Sequence, residues 1–113
     1  MSDNCVFCMI KVRDIPSEFI YEDDRLFVIH DINPVAPVHL LIIPTQHMTN
    51  LDEKAFSQEV ILGHMLSVAK DMAALVGLSE SGFRIVINQG LDSGQEVEHL
   101  HMHLLGGRRL SSM

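Results

Sequence analysis

The chain is poor in positive charge. It carries 8 lysine and arginine residues against 15 aspartate and glutamate residues, which gives a formal net charge of −7 at pH 7. Proteins that bind nucleic acids rely on a basic surface. The excess of acidic residues therefore argues against a general nucleic-acid-binding protein. It does not argue against a nucleotide ligand, because one phosphate pocket can be locally positive within an acidic protein.

The sequence also lacks long hydrophobic runs, repeats and low-complexity segments. Its longest apolar run spans only a few residues, whereas a transmembrane helix requires about 20. The first residues, Met1–Asn4, are polar and lack the basic and apolar regions of a signal peptide. We therefore expect a cytoplasmic protein without membrane contact, folded as a single domain over residues 1–113.

Only two cysteines occur, Cys5 and Cys8, and two residues separate them. A structural disulfide is improbable in the cytoplasm, where thiols stay reduced. A thioredoxin-like pair would follow a strand within a βαβ unit, but no strand is predicted before Cys5. Two interpretations stay open, small core residues and metal ligands.

Three histidines alternate with apolar residues near the C-terminus, in the run HLHMHLL over residues 99–105. Side chains of a β-strand alternate between its two faces, so His99, His101 and His103 would share one face. The apolar side chains between them would then enter the core: Leu100, Met102 and Leu104. Three imidazoles in a row indicate a site that needs nucleophiles, phosphate donors or metal ligands.

The periodicity of the remaining chain predicts an α+β fold with an antiparallel sheet. A short helix is expected over Val6–Lys11 and a long helix from about Glu53 to Val76, capped by Asn50 or Asp52. Strands are predicted at Phe19–Glu22, Arg25–His30, Val38–Ile43 (stopped by Pro44), Phe83–Asn88 and His99–Leu105. The long helix has more apolar surface than one sheet face requires, which fits a dimer interface or a larger core equally well.

The histidine run resembles the motif of the histidine triad (HIT) family, His-φ-His-φ-His-φ-φ, where φ is apolar. The resemblance extends from about Cys5 to Arg109, and the Gly106-Gly107-Arg108 ending is similar to the Hint branch, the histidine triad nucleotide-binding proteins. It implies a five-stranded sheet with one long helix and a short N-terminal helix. It also implies a homodimer in which two subunits form a ten-stranded sheet.

The resemblance implies a role for each histidine of the site. His101 would be the nucleophile toward an α-phosphate, and His103 would donate a hydrogen bond to the phosphate oxygens. The His99 carbonyl would accept the Nδ1–H of His101 and so leave Nε2 free to attack. His39, on a neighbouring strand, would support the triad; its alternative is an ordinary core histidine.

A nucleotide-binding role for further residues follows from the same resemblance. Backbone N–H groups of Gly94, Gln95 and Glu96 would face the phosphate, and the Asn88 amide would donate to it. Glu96 departs from the family pattern, since many Hint proteins have serine there, so only its N–H is carried over. Asp31 would accept hydrogen bonds from the ribose hydroxyls, with a plain turn aspartate as the alternative. The base is expected in an apolar slot that could equally be ordinary core, formed by Ile10, Ile29, Ile32 and Leu41.

Cys5, Cys8, His47 and His99 form a Cys₂His₂ set of the kind that zinc prefers. Some members of the HIT superfamily carry zinc on equivalent residues. A fully coordinated site of this kind would be structural, tying the N-terminus to the histidine run, so we expect no cofactor in the chemistry itself. Two small buried thiols are the alternative interpretation.

The function implied most directly is that of a purine nucleoside phosphoramidase. Such an enzyme hydrolyses the P–N bond of adenosine or guanosine 5′-phosphoramidates through a nucleotidyl-histidine intermediate. A dinucleoside polyphosphate hydrolase is the first alternative, although that branch usually lacks the Gly-Gly-Arg ending. The second alternative is a nucleotide-binding scaffold protein whose catalysis is incidental.

Overall fold

A computed structural model describes residues 5–49, 51 and 56–113. Within these residues a five-stranded antiparallel sheet is accompanied by two α-helices. The elements in chain order are α1 (Val6–Lys11), β1 (Tyr21–Glu22), β2 (Leu26–His30), β3 (Val38–Pro44), α2 (Phe56–Leu75), β4 (Phe83–Val86) and β5 (Met102–Gly106). The strand order is β1-β2-β3-β5-β4, so the predicted fold class is confirmed. In the described part of the chain, neither helix is long and apolar enough to cross a membrane.

Most predicted bounds agree with the structure to within two residues. Helix α1 has the expected bounds, and α2 ends one residue before the predicted end. The predicted start of α2 at Glu53, with Asn50 or Asp52 as its cap, lies outside the described residues. Strand β3 includes Pro44, which was expected to stop it. Proline lacks the N–H donor but keeps its carbonyl, and Pro44 occupies only the last position of the ladder.

The histidine strand is shorter than predicted. Strand β5 begins at Met102 and not at His99, so only His103 of the three histidines lies in the ladder. The histidines and the apolar residues between them nevertheless lie on opposite faces of the sheet, as predicted. The three intervening apolar side chains all lie in the core beneath α2, whereas the His99 and His101 rings contact Phe7 on the other side of the sheet.

Two apolar clusters cover the two faces of the sheet. Alternation along β3 sends Leu40 and Ile42 to the larger cluster under α2, and Leu41 and Ile43 to the smaller cluster under α1. The smaller cluster consists of Phe7, Ile10, Phe27, Ile29, Leu41 and Ile43. The histidines therefore share their face of the sheet with α1 and this smaller cluster.

His64, to which the sequence assigns no role, anchors α2 to the turn between β1 and β2. Its Nε2 lies 2.7 Å from Asp23 Oδ2, and Asp23 also accepts hydrogen bonds from the Tyr21 hydroxyl and two backbone N–H groups. Burial raises the pKa of Asp23, but these hydrogen bonds, His64 first, outweigh it and hold the pKa well below its ordinary value. This polar contact complements the apolar packing of α2.

Candidate active site

The candidate site forms where β3 and β5 lie side by side. His103 is directly opposite Leu41 in the ladder, and His39 is opposite Leu105. His39 and His103 are therefore diagonal neighbours on one face of the sheet, with ring centroids 5.1 Å apart. The His101 ring centroid lies 5.0 Å from that of His103. The structure thus brings the rings of His39, His101 and His103 together, and the fourth histidine with an assigned role, His99, joins them through its backbone carbonyl.

The protonation of His101 is set by a backbone carbonyl. Its Nδ1–H donates to the His99 carbonyl at 2.7 Å, as the resemblance implied. Because a carbonyl oxygen can only accept, the neutral ring carries its proton on Nδ1 and a lone pair on Nε2. The ring is 7% exposed and packs edge-on against Phe7 at 5.1 Å. Phe7 and the carbonyl together fix both the orientation and the tautomer of this imidazole.

A second chain of hydrogen bonds sets the tautomers of His39 and His103. The backbone N–H of Val35 donates to His39 Nδ1 at 3.2 Å, so the neutral His39 ring carries its proton on Nε2. That Nε2–H lies 2.8 Å from His103 Nδ1 and donates to it. His103 must then carry its own proton on Nε2. The site therefore presents an Nε2 lone pair on one imidazole and an Nε2–H donor on the next.

Burial keeps the imidazole rings of His39 and His103 neutral. Loss of solvation lowers the pKa of His39, and Asp31 opposes that shift only in part. Burial, followed by the neighbouring His101 and His39, lowers the pKa of His103 to about 4. At pH 7 both rings are therefore neutral, which the donor–acceptor order between them requires.

Asp31 takes part both in a turn and in the histidine cluster. Its Oδ1 accepts the Asn33 N–H at 2.8 Å, which is the turn role predicted as an alternative. Its Oδ2 lies 3.4 Å from His39 Nε2. The carboxylate therefore stands at the end of β2 with one oxygen beside the histidines.

The apolar residues predicted to form a slot for the base divide into two groups. Ile10, Ile29 and Leu41 lie together in the smaller cluster. Ile32 lies apart from them and is 91% exposed, because the turn at Asp31 carries it outward.

The loop before the histidine run is braced internally. The short 3₁₀ turn Leu91–Ser93 ends at Gly94, whose φ of +82° lies in the region that favours glycine. The Gly94 N–H donates to the Leu91 carbonyl at 3.1 Å, so it is engaged within the turn. The Gln95 side chain accepts from the Gly90 N–H and donates to the Val97 carbonyl. Glu96 is exposed and Asn88 is half-buried just beyond β4.

The four residues of the predicted metal set also converge. Their ligand atoms all lie within 4.8 Å of one another. Cys5 Sγ and Cys8 Sγ lie 3.2 and 3.7 Å from His99 Nδ1, and Cys8 Sγ lies 3.4 Å from His47 Nδ1. Tetrahedral zinc, about 2.3 Å from sulfur and about 2.0 Å from nitrogen, sets sulfur–nitrogen separations of about 3.5 Å. The spacing of these residues fits a zinc ion.

His99 is oriented for such a role by the strand beside it. Its Nε2–H donates to the Pro44 carbonyl at 2.9 Å, so Nδ1 carries the lone pair that faces the sulfurs. The ring is fully buried, and burial lowers its pKa to about 4. His99 is thus neutral at pH 7, the form in which an imidazole binds a metal.

Sequence reasoning missed two contributors to the site, Phe7 and the backbone N–H of Val35. The predicted helix over Val6–Lys11 pointed to Phe7 as an apolar residue, although not to its contacts with His99 and His101. Val35 contributes only through its backbone, which leaves no signal in residue types.

Comparison with known proteins places these observations in context. The family described as HIT domain matches residues 12–110. The purine nucleoside phosphoramidase of Escherichia coli is 42% identical over 113 residues, covering 100% of this chain and 95% of the relative. An uncharacterized HIT-like protein of Synechococcus elongatus is 48% identical over 111 residues, covering 98% of this chain and 96% of the relative.

Solved structures of histidine triad proteins are also similar to this chain. A HIT family hydrolase from Clostridium thermocellum has a TM-score of 0.93 at 46% identity, covering 98% of this chain and 96% of that chain. A zinc-bound histidine triad family protein from Mycobacterium smegmatis has a TM-score of 0.80 at 33% identity, covering 96% of this chain and 78% of that chain.

Proposed function

The chain belongs to the HIT domain family and is a hydrolase, and on that premise we propose that it hydrolyses the P–N bond of purine nucleoside 5′-phosphoramidates. One observation carries the proposal: two imidazoles with fixed tautomers present an Nε2 lone pair on His101, set by a backbone carbonyl, and an Nε2–H on His103, set by His39. A nucleophile beside a donor is the pair that attack on a phosphoryl group requires. The similar protein of E. coli is named purine nucleoside phosphoramidase, which supports this substrate class.

The proposed reaction has two displacement steps. In the first, His101 Nε2 attacks the α-phosphorus, the P–N bond to the amine breaks, and the departing amine takes a proton from solvent water. In the second, water attacks the phosphorus, the bond to Nε2 breaks, and the water gives a proton back to solvent. This releases a nucleoside monophosphate and restores the neutral ring. Dividing one difficult displacement into two easier ones is the advantage of a covalent intermediate.

Charge stabilisation in this scheme comes from groups already in place. His101 becomes positive when Nε2 bonds to phosphorus, and its Nδ1–H is already directed at the His99 carbonyl oxygen. Negative charge gathers on the phosphoryl oxygens, and the Nε2–H of His103 would donate to them. The Asn88 amide and the N–H groups of Gln95 and Glu96 would add further donors. His39 acts through His103 and is a positioning residue.

We place the nucleoside along the end of β2 and the α1 face of the sheet. The Asp31 carboxylate would accept hydrogen bonds from the ribose hydroxyls. The base would lie against the smaller apolar cluster at Ile10, Ile29 and Leu41. Ile32 is exposed next to Asp31, so a bound ligand is the contact that would cover it.

The proposal predicts that His101 is essential for turnover. With adenosine 5′-phosphoramidate as substrate, we expect His101→Ala to lower kcat/KM by at least about 10³-fold, because the nucleophile is removed. Steady-state release of AMP is the measurement, with diadenosine polyphosphates compared in parallel. His30→Gln is the matched control, since His30 is opposite Leu40 in the ladder and therefore faces away from the site.

Three results would contradict this proposal. Faster turnover of diadenosine polyphosphates would favour the polyphosphate hydrolase. Binding of AMP without turnover of either substrate would favour the scaffold protein. Undiminished turnover by His101→Ala would remove His101 from the chemistry.

We also propose that Cys5, Cys8, His47 and His99 hold a structural zinc ion. The ligand spacing, the soft sulfur donors and the fixed Nδ1 lone pair of His99 support this, and a zinc-bound relative exists. Four protein ligands leave no open coordination position, so the ion would tie α1 to the histidine run. It would take no part in the hydrolysis.

Loss of zinc is expected to destabilise the protein. Purified chain should contain about one zinc per molecule by mass spectrometry of metals. The double variant Cys5→Ser/Cys8→Ser should lose the metal, and its Tm should fall by about 5 °C or more. Val12→Ser, at the exposed end of the same helix, should retain both. A purified chain that takes up no zinc when the ion is added, and whose Tm does not rise, would refute the site.

We propose that the chain forms a homodimer through the edge strand β4. The edges of the sheet in the described residues are β1, with two residues, and β4, with four. An edge strand whose backbone groups are unpaired can form hydrogen bonds with a strand of another chain. Phe83 on β4 and Leu66 and Leu75 on α2 are exposed apolar side chains that a partner would cover. Two sheets joined in this way would have ten strands.

Sedimentation equilibrium tests the dimer. We expect a mass of twice the 12.7 kDa of one chain. The double variant Leu66→Lys/Leu75→Lys should shift the protein toward monomer, because it places charges in the proposed interface. Val12→Lys, an exposed change elsewhere, should leave the mass unchanged. A wild-type mass of 12.7 kDa at micromolar concentration would contradict the proposal.

A further inference from the structure

The segment after β5 reaches across to the loop between β2 and β3. The Nη2–H of Arg108 donates to the Val35 carbonyl at 3.0 Å, across 73 positions of sequence. Its Nη1–H donates to the Arg109 carbonyl, also at 3.0 Å. The guanidinium thus connects the end of the last strand to the loop over residues 31–37.

The close approach of these two segments depends on a glycine. Gly107 has a φ of +96°, and a Cβ built there would lie 2.8 Å from Pro37 Cβ. Any other residue would be strained in this conformation and would also push the loop away. Gly107 therefore allows Arg108 to reach Val35.

Val35 connects Arg108 to the histidines through its own backbone. Its carbonyl accepts from Arg108, and its N–H donates to His39 Nδ1 at 3.2 Å. The Val35 side chain is 63% exposed, so apolar packing does little to hold this residue. Pro34 and Pro37 have no backbone N–H to contribute to the loop. The Val35 carbonyl and N–H belong to the two peptide groups on either side of its Cα. The Arg108 hydrogen bond therefore holds the following peptide group directly and restrains the preceding N–H through the backbone dihedrals of Val35.

We propose that Arg108 is a positioning residue for the hydrolysis, acting through Val35 to hold His39 as the Nε2–H tautomer. This inference rests on the proposed function. With Val35 held, His39 donates to His103 Nδ1, and His103 keeps its proton on Nε2 for the phosphoryl oxygens. Without that restraint, the Val35 N–H moves away and a buried His39 Nδ1 loses its donor. The His39 ring can then exchange between tautomers, opposed only by Asp31 Oδ2 at 3.4 Å from Nε2, and His103 loses its donor in the reversed fraction.

This role is distinguishable from direct binding of the phosphate by Arg108. An arginine that bound the phosphate would raise KM when removed, because ground-state binding is weakened. An arginine that acts through Val35 lowers kcat and leaves KM nearly unchanged. It also alters the histidines of the free protein, in which no phosphate is present.

The test compares Arg108→Met with Arg109→Met, which removes the same charge one residue further on. In the described residues the Arg109 side chain makes no hydrogen bond to another group, so it is a matched control. The first readout is the ¹⁵N spectrum of histidine-labelled free protein, in which protonated and unprotonated ring nitrogens have distinct shifts. The second is kcat and KM for adenosine 5′-phosphoramidate.

We expect Arg108→Met to move the His39 and His103 nitrogen signals toward mixed tautomers and to lower kcat about fivefold. Arg109→Met should leave spectra and rates unchanged. Arg108→Lys should restore part of kcat, because one donor can still reach the Val35 carbonyl. Tm should change little in all three variants, since Arg108 is exposed.

Spectra of Arg108→Met that match the wild type would overturn the proposal, as would equal effects of Arg109→Met. A raised KM with unchanged kcat and unchanged spectra would make Arg108 a phosphate ligand and also overturn it. If the spectra change but the wild type hydrolyses no phosphoramidate, the proposed function fails and the coupling of Arg108 to His39 stands. The two failures are therefore separable.

Discussion

The hydrogen bond from His101 Nδ1–H to the His99 carbonyl is the constraint on which the site depends. It assigns the proton of a buried imidazole to one nitrogen and leaves a lone pair on the other. It is compatible with the late start of β5. Within a regular ladder the backbone groups of residues 99–101 would be occupied by neighbouring strands, whereas here the ladder begins at Met102. The His99 carbonyl is therefore available to a side chain two residues further on.

The same principle sets the tautomers of His99 and His39 directly and reaches His103 only through His39. Carbonyls of His99 and Pro44 and the N–H of Val35 are backbone groups whose donor or acceptor character cannot change. Each imposes a tautomer on the ring that it contacts, and burial keeps His39, His99 and His103 neutral at pH 7. His99 connects the cysteine pair with the histidine cluster. Its ring faces the cysteines, and its carbonyl holds His101.

Much of the fold follows from local pattern. The bounds of α1 and the order of strands and helices were predictable from periodicity and turn residues. The placement of the histidines on one face and the apolar residues on the other was also predictable, because the side chains alternate even over residues 99–101, which lie outside the hydrogen-bonded ladder. The convergence of His39 with the triad, and of the cysteine pair with His47 and His99, came from the family resemblance and its motifs. Both sets converge in the structure.

Other features could not be predicted because they depend on backbone geometry. The start of β5 depends on where the ladder ends, which residue types do not encode. The outward position of Ile32 follows from the turn at Asp31, and the contact of Arg108 follows from the close passage of Gly107 beside Pro37. The His64–Asp23 pair joins a helix to a distant turn, and neither residue belongs to a motif that would have linked them.

The central claim is that backbone-imposed tautomers make His101 Nε2 the atom that attacks phosphorus. Trapping the covalent intermediate tests it most directly. Enzyme would be mixed with adenosine 5′-phosphoramidate, quenched in alkali within milliseconds to seconds, and digested with trypsin. The peptide over residues 85–108 contains all three histidines of the run. Our account requires one adenylyl group on His101, absent from His101→Ala. An adenylyl group on His103, or an adduct that persists in His101→Ala, would contradict it.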